Sequence, residues 1–191
     1  MRIVSGTLRG RRLEAPPGRA VRPTSERARA ALFDVLTHRF QADGRFVLAG
    51  APVLDAFAGT GALGLEALSR GAGHVTFLER DAALVRALSD RAAAWGVAAA
   101  VTVRRADATR PPARPAGRDP CTLLLLDPPY GQALAAPTLA ALAAAGWVAP
   151  GALCVVETGC DEPLDPPAGF ALADTRDHGR ARVRVLVREA P

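Results

Sequence analysis

Apolar and polar positions change rhythm repeatedly along the chain, and each change marks an element. PVLDAF, 52–57, is the first strong period-two, β-rich run after an N-terminal arm. FAGTG follows as a glycine-rich turn, and ALGLEALSRGA reads as a helix. HVTFLERD is a second strand. DAALVRALSDRAAAWG is a second helix, with Ala83, Leu84, Ala87, Leu88 and Arg91 in helical spacing. VTVRRAD is a third strand. CTLLLLD is a fourth, apolar throughout, as a central strand covered on both faces must be. Between these two, residues 109–120 (TRPPARPAGRDP) are too rich in proline for a full helix. ALAAPTLAALAAAGW is a further helix and GALCVVET a fifth strand.

Strands alternating with helices predict an α/β fold: a parallel sheet with right-handed crossovers. The end departs from that pattern. FALADTR and ARVRVLVRE are joined by DHGR with no helix between them, so they predict an antiparallel hairpin added to the sheet. The arm, residues 1–45, has a structure of its own, and residues 46–191 form the main domain. MRIVSG and RRLEAP predict a short hairpin around TLRG. RPTSERARAALFDVLTHRF predicts a helix capped by Thr24 or Ser25, with Glu26 at its positive end. Ala28, Leu32, Val35 and Leu36 form the stripe expected to dock on the main domain, with Arg27 and Arg29 off it.

Composition sharpens this picture at three points. About half of the 191 residues are apolar, enough for a proper core. The net charge of +5 is local: residues 1–45 hold ten arginines against four acids, and the remainder fourteen against fifteen. A basic arm on a near-neutral body points to a polyanionic partner. The three cysteines, 121, 154 and 160, are odd in number and lack CxxC spacing, which argues against a disulfide framework or a structural zinc. Cys121 and Cys154 lie in strand-like runs as core thiols. With no signal-peptide pattern, and no apolar run near the roughly 20 residues of a membrane span, a cytosolic protein is expected.

The candidate chemistry lies in the loops. Asp55 ends a strand, and Gly59 and Gly61 sit in the turn into a helix, where backbone can approach a ligand. The turn meets the dinucleotide fingerprint GxGxxG only in part, and no lysine completes a P-loop. Plain packing remains the alternative for such a turn. Glu79 follows Gly59 by twenty residues at the end of the second strand, where an acid can accept from both ribose hydroxyls of a nucleoside. Asp81 reads as a helix cap. Asp107 and Asp127 end the third and fourth strands. Four acids at four successive strand ends disfavour a phosphate and suit a cationic, donor-rich ligand. S-adenosylmethionine has that inventory, with an amino group, ribose hydroxyls, an adenine amine and a sulfonium.

LLLLDPPYG sharpens the reading. Pro128 and Pro129 lock the backbone after Asp127 into extended geometry. The Asp127 carboxylate and the Pro128 carbonyl make two convergent acceptors for an exocyclic amine. Tyr130 offers a flat ring on which a base can stack, worth about 1–3 kcal/mol in comparable sites.

Together these motifs resemble the bacterial RsmD-type 16S ribosomal RNA guanine-N2 methyltransferases. MRIVSGTLRGRRLEAPPG, RPTSERARAALFDVL, LDAFAGTGALGLEALSRGA, FLERD and LLLLDPPYG are each similar to family motifs, and the resemblance covers nearly the whole chain. It implies a class I, Rossmann-like methyltransferase fold with a seven-stranded, mostly parallel sheet whose last strand is antiparallel. It implies S-adenosylmethionine as cofactor and a guanine of 16S rRNA, in a partly or fully assembled 30S subunit, as substrate. Asp55, Phe57, Gly59, Thr60 and Gly61 are then the cofactor turn. Glu79, with Arg80 beside it, is the ribose site, and Asp107 and Ala108 the adenine edge. Asp127, Pro128, Pro129 and Tyr130 are the catalytic set. Ala106 stands where family members commonly carry glycine. Arg2, Arg9, Arg11, Arg12, Arg19 and Arg22 become candidates for rRNA phosphates, Arg22 having a structural role as its equal alternative. No metal and no membrane are expected, and a monomer is the default. The rivals are a DNA adenine-N6 methyltransferase, a glutamine-modifying protein methyltransferase and a non-catalytic RNA-binding assembly factor.

Overall fold

The computed structural model describes residues 1–14, 26–42, 44 and 46–190. Helix α1 (Glu26–Val35) runs into a π-helical turn, Leu36–Phe40. Strand β1 (Pro52–Ala56) leads to α2 (Ala62–Ser69), and β2 (His74–Glu79) leads to α3 (Ala82–Ala94). A short 3-10 turn, Ala98–Ala100, precedes β3 (Val101–Arg105). Then come β4 (Cys121–Leu126), α4 (Ala135–Ala144), β5 (Val148–Gly159), β6 (Phe170–His178) and β7 (Ala181–Arg188). Asp81 caps α3 as expected, its carboxylate accepting from Ala83 N and Leu84 N.

The strands form one sheet in the order β3-β2-β1-β4-β5-β7-β6. β1 pairs in parallel with both β2 and β4, so the chain reverses its direction of growth there. Ligands bind beyond the carboxyl ends of strands at such a switch point. The predicted terminal hairpin forms, with β7 antiparallel to both β5 and β6.

Strand alternation divides the core between the two faces. Val53, Phe77, Leu123, Leu125 and Val155 join Leu65 of α2, Leu88 of α3 and the arm on one face. Leu54, Leu78, Leu124, Leu126 and Val156 meet Leu139 and Leu142 of α4 and Trp147 on the other. Cys121 and Cys154 are buried, as expected of core thiols, and burial pushes the Cys121 thiol up to about 12.

The arm is fastened to the first face. Ile3 N donates to Arg11 O, Gly10 N to Ile3 O and Leu13 N to Met1 O, closing the predicted hairpin, with a bridge between Arg2 and Arg12. Its turn lies on the end of α2. Gly6, at φ +82°, comes so near that an added Cβ would lie 1.7 Å from Ser69 O. Beneath it is a buried carboxylate, Glu66, which accepts from Val4 N at 2.8 Å, Ser5 N at 3.1 Å, Arg29 Nε at 3.4 Å and Arg70 Nε at 2.8 Å.

This corrects one sequence expectation. Arg29, placed off the apolar stripe, is fully buried. Its guanidinium turns inward because a charge inside the core needs a counter-charge, and Glu66 supplies it. Leu32 and Leu36 are buried as predicted, joined by Phe33 and Phe40, whereas Ala28 and Val35 are only half-buried. The cap candidates Thr24 and Ser25, like Arg19 and Arg22, lie outside the described residues.

Candidate active site

A cleft of about 1290 Å³ opens beyond the carboxyl ends of the central strands. It brings together Asp55, Phe57, Gly59, Thr60, Glu79, Arg80, Asp107, Ala108, Asp127, Pro128, Pro129 and Tyr130. Of the main-domain candidates read from the sequence, only Gly61 stands behind the lining.

The glycine turn between β1 and α2 is built for close approach. Phe57 takes φ +63°, a rare conformation for a side-chain-bearing residue. Gly61, at φ +80°, has Leu88 Cδ1 2.5 Å from where a Cβ would stand. Gly59 N donates to Glu79 Oε2 at 2.8 Å, and Asp81 N donates to Glu79 Oε1 at 2.8 Å. These two bonds fix the carboxylate at the end of β2 and leave lone pairs on both oxygens, since a carboxylate offers about four acceptor sites. Thr60 O accepts from Arg91 Nη1 at 2.9 Å, while Arg91 Nη2 reaches Glu14 O in the arm at 2.7 Å.

The rim is acidic. Asp55 is buried and accepts from Gly64 N at 2.8 Å. Burial pushes its carboxyl well above the usual range; the Gly64 bond opposes this, and the charges of Asp127 and Glu79 add to it. Asp107 differs. It is exposed, and Thr109 donates to Oδ1 from its hydroxyl at 2.7 Å and its backbone at 2.9 Å. Those bonds hold its carboxyl below the usual range. The cleft therefore concentrates acceptors and negative charge beside a turn with exposed backbone. This donor set fits S-adenosylmethionine, whose amino group, hydroxyls and sulfonium answer it, and would repel a pyrophosphate.

Asp127 and Tyr130 are half-buried at the end of β4, and Pro128 is buried between them. The loop that follows is held by two acids not singled out from the sequence. The Tyr130 hydroxyl donates to Glu157 Oε1 at 2.6 Å. Gly131 N and Ala133 N donate to the two oxygens of Glu162, each at 2.9 Å. Glu157 also lines the cleft, as do Arg27 and Ala28 of α1 and His178 and Arg180 at the β6–β7 turn. The signal for Glu157 was there to be read: a lone acid ending the apolar run GALCVV, in line with the other four strand-end acids. Arg2, Arg9, Arg11 and Arg12 are exposed on the arm hairpin, outside the cleft lining. Among the described residues, no cluster of His, Cys, Asp and Glu is placed to hold a metal, and no helix is long and apolar enough to cross a membrane.

The strand order, the glycine turn and the acid-lined cleft at the switch point define the class: a class I S-adenosylmethionine-dependent methyltransferase fold. Within that class, the family model described as conserved hypothetical protein 95 matches residues 1–187, and the chain belongs to this family. It is 35% identical over 191 residues to ribosomal RNA small subunit methyltransferase D of Escherichia coli (strain K12), covering 100% of this chain and 91% of that relative. The solved structure of the putative methyltransferase yhhF from Escherichia coli superposes with a TM-score of 0.83 at 34% identity, covering 100% of this chain and 99% of that one. An RNA methyltransferase from Salinibacter ruber, solved with S-adenosyl-L-homocysteine, shares the fold at TM-score 0.63 and 18% identity, over 89% of this chain and 95% of that one. The RsmD-type resemblance and the fold class read from the sequence are borne out.

Proposed function

We propose that this chain transfers a methyl group from S-adenosylmethionine to the N2 amine of one guanine in small-subunit ribosomal RNA. One observation carries the reading. The Asp127–Tyr130 segment and the Gly59–Glu79 turn open onto the same cleft, in a chain similar throughout to an rRNA small subunit methyltransferase. S-adenosylmethionine supplies a methyl group activated on a sulfonium. Glu79 would hold its ribose hydroxyls, with Arg80 alongside; Asp55, Phe57, Gly59, Thr60 and Gly61 its methionine end; and Asp107 and Ala108 its adenine edge.

The protein's task is positioning. The lone pair of a purine amine is delocalised into the ring, so the amine is a weak nucleophile. Asp127 Oδ and Pro128 O would accept hydrogen bonds from its two N–H groups, turning the lone pair outward. Tyr130 would stack on the ring, whose orientation the Glu157 bond fixes. Alignment of this kind supplies a large share of a barrier reduction. The nitrogen becomes acidic only as it is methylated, so Asp127 would orient it first and the proton would pass afterwards to water or to the Asp127 carboxylate. The base must leave its stack to reach the cleft.

We take the substrate to be the rRNA within a partly or fully assembled 30S subunit, met by a monomeric enzyme in the cytoplasm. The exposed arm arginines support that polyanionic partner. If Arg9 and Arg12 each contact one phosphate, replacing both with alanine lowers the slope of log affinity against log salt by roughly 1.4 to 1.8, while cofactor affinity holds. Filter binding across a salt series reads this, and an unchanged slope would remove the arm from the RNA interface.

The decisive assay is transfer of tritiated methyl to small-subunit particles from a strain lacking the gene, followed by nucleoside analysis. N2-methylguanine is expected. N6-methyladenine would move the reading to the adenine-N6 class, and cofactor binding without transfer to any RNA would favour an assembly factor.

A further inference from the structure

Resting on that reading, we propose that Arg27 of α1 and Arg180 of the β6–β7 turn form a phosphate-binding lip, which grips the single-stranded RNA backbone at the phosphodiesters flanking the flipped guanine.

The cleft has two electrostatic halves. Its acids stand at or just beyond the carboxyl ends of β1 to β5, where the reading places the cofactor and the amine. Arg80 lies among them. The two other arginines of the lining, Arg27 and Arg180, come from elements outside that row, and both are exposed. Other arginines of the β6–β7 hairpin are already neutralised. Arg176 Nε bonds Asp174 Oδ2 at 2.8 Å, and Arg182 bonds the two oxygens of Asp177 at 2.6 and 2.8 Å. Among the described residues, no carboxylate pairs with Arg27 or Arg180.

The sheet sets Arg180 at the mouth. β7 runs antiparallel to β5, so the β6–β7 turn returns to the carboxyl end of β5. There Gly159 faces Ala181, and Cys160 N donates to Arg180 O at 3.0 Å. The Tyr130 ring lies over Gly159, its Cδ2 3.8 Å from where a Cβ would stand. Arg180 therefore follows the strand level on which the proposed stacking ring rests. That level is about 7 Å beyond Glu157, two strand residues on. α1 is fixed beside the hairpin by Arg39, in the turn after the helix, whose Nη1 bonds Asp174 Oδ1 of β6 at 2.6 Å.

A base that reaches Asp127 leaves its ribose and both flanking phosphates at this mouth. The acids within repel them, so the strand needs counter-charge at that level. A guanidinium supplies it, with paired N–H donors that match two phosphate oxygens. The arm arginines lie outside the lining and would meet phosphates farther from the base.

Phosphate-ethylation interference tests the lip. Small-subunit particles from a strain lacking the gene are ethylated sparsely after assembly, and the enzyme-bound and unbound fractions are mapped. With the natural enzyme, ethylation on either side of the guanine found to be methylated should be depleted from the bound fraction. Arg27→Gln with Arg180→Gln should abolish that depletion and leave depletion at other phosphates. The same pair should lower the slope of log affinity against log salt by roughly 1.4, about 0.7 for each single-strand phosphate. Arg27→Lys with Arg180→Lys keeps the charge and should keep the slope. Arg182→Gln removes a charge already paired with Asp177 and should leave slope and pattern as they are. Cofactor binding by calorimetry should be unchanged throughout, which also shows that the variants fold. Depletion beside the guanine that persisted in the double glutamine variant would overturn the inference. So would an unchanged slope, or an equal loss in the lysine pair or in Arg182→Gln. Absence of N2-methylguanine from the natural enzyme's reaction would instead overturn the parent reading, and this one with it.

Discussion

Asp127→Ala is expected to slow methyl transfer by roughly 100- to 1000-fold, the range seen when a positioned polar contact is lost from an active site. Cofactor affinity should change by less than about threefold. The asymmetry follows from the sheet. Asp127 leaves β4, whereas Glu79 ends β2 on the far side of β1 and is fixed by Gly59 N and Asp81 N. Removing the Asp127 charge also removes one of the two negative charges that raise the Asp55 carboxyl, so the Asp55 pKa should come down. Asp127→Asn separates orientation from proton abstraction. An amide carbonyl still accepts one N–H but cannot take a proton near neutrality, so an orienting role predicts that Asn retains well over ten times the alanine rate. Single-turnover rates and calorimetry decide it. Severe loss of cofactor binding in a folded Asp127→Ala protein would remove Asp127 from the base side of the cleft.

What could be read in advance depended on how local the cause was. The strands and helices of the main domain follow from apolar periodicity, and proline marked the helix-free stretch at 109–120. The candidate residues that line the cleft were legible for the same reason: a glycine turn, an acid twenty residues on and a proline-locked strand end are short-range signals. What stayed hidden depends on distant partners. Arg29 looks solvent-facing on a helical wheel, because the wheel cannot know of Glu66, thirty-seven residues later. Glu157 can be read as a strand-end acid, but its place next to the end of β4 is visible only once the strand order sets β5 beside β4. The strained φ of Phe57 carries no sequence signal, since phenylalanine is not a residue that marks positive φ.

Glu66→Ala should be the most destabilising single change in the arm contact, at roughly 3–5 kcal/mol, the cost of breaking a buried ion pair. Set against a total stability of about 5–15 kcal/mol for an ordinary domain, that approaches unfolding. Four donors converge on this carboxylate, which matches its acceptor capacity. Alanine takes the Glu66 charge away from the buried Arg29 guanidinium and the acceptors away from the half-buried Val4 and Ser5 N–H groups. The origin of the loss is testable by a double-mutant cycle. Removing both charges with Glu66→Leu and Arg29→Leu should restore part of the stability lost by either alone, because the buried pair is then replaced by apolar groups on both sides. Denaturant titrations give the three differences. Hydrogen exchange adds the location: protection should fall first at residues 3–13, which hang on α2 through Glu66 and Ser69. The hairpin carries Arg2, Arg9, Arg11 and Arg12, so a variant that remains folded should lose RNA affinity before cofactor affinity. A Glu66→Ala protein within about 1 kcal/mol of the natural one would mean that Ile3, Leu8 and Leu13 hold the arm by apolar burial alone.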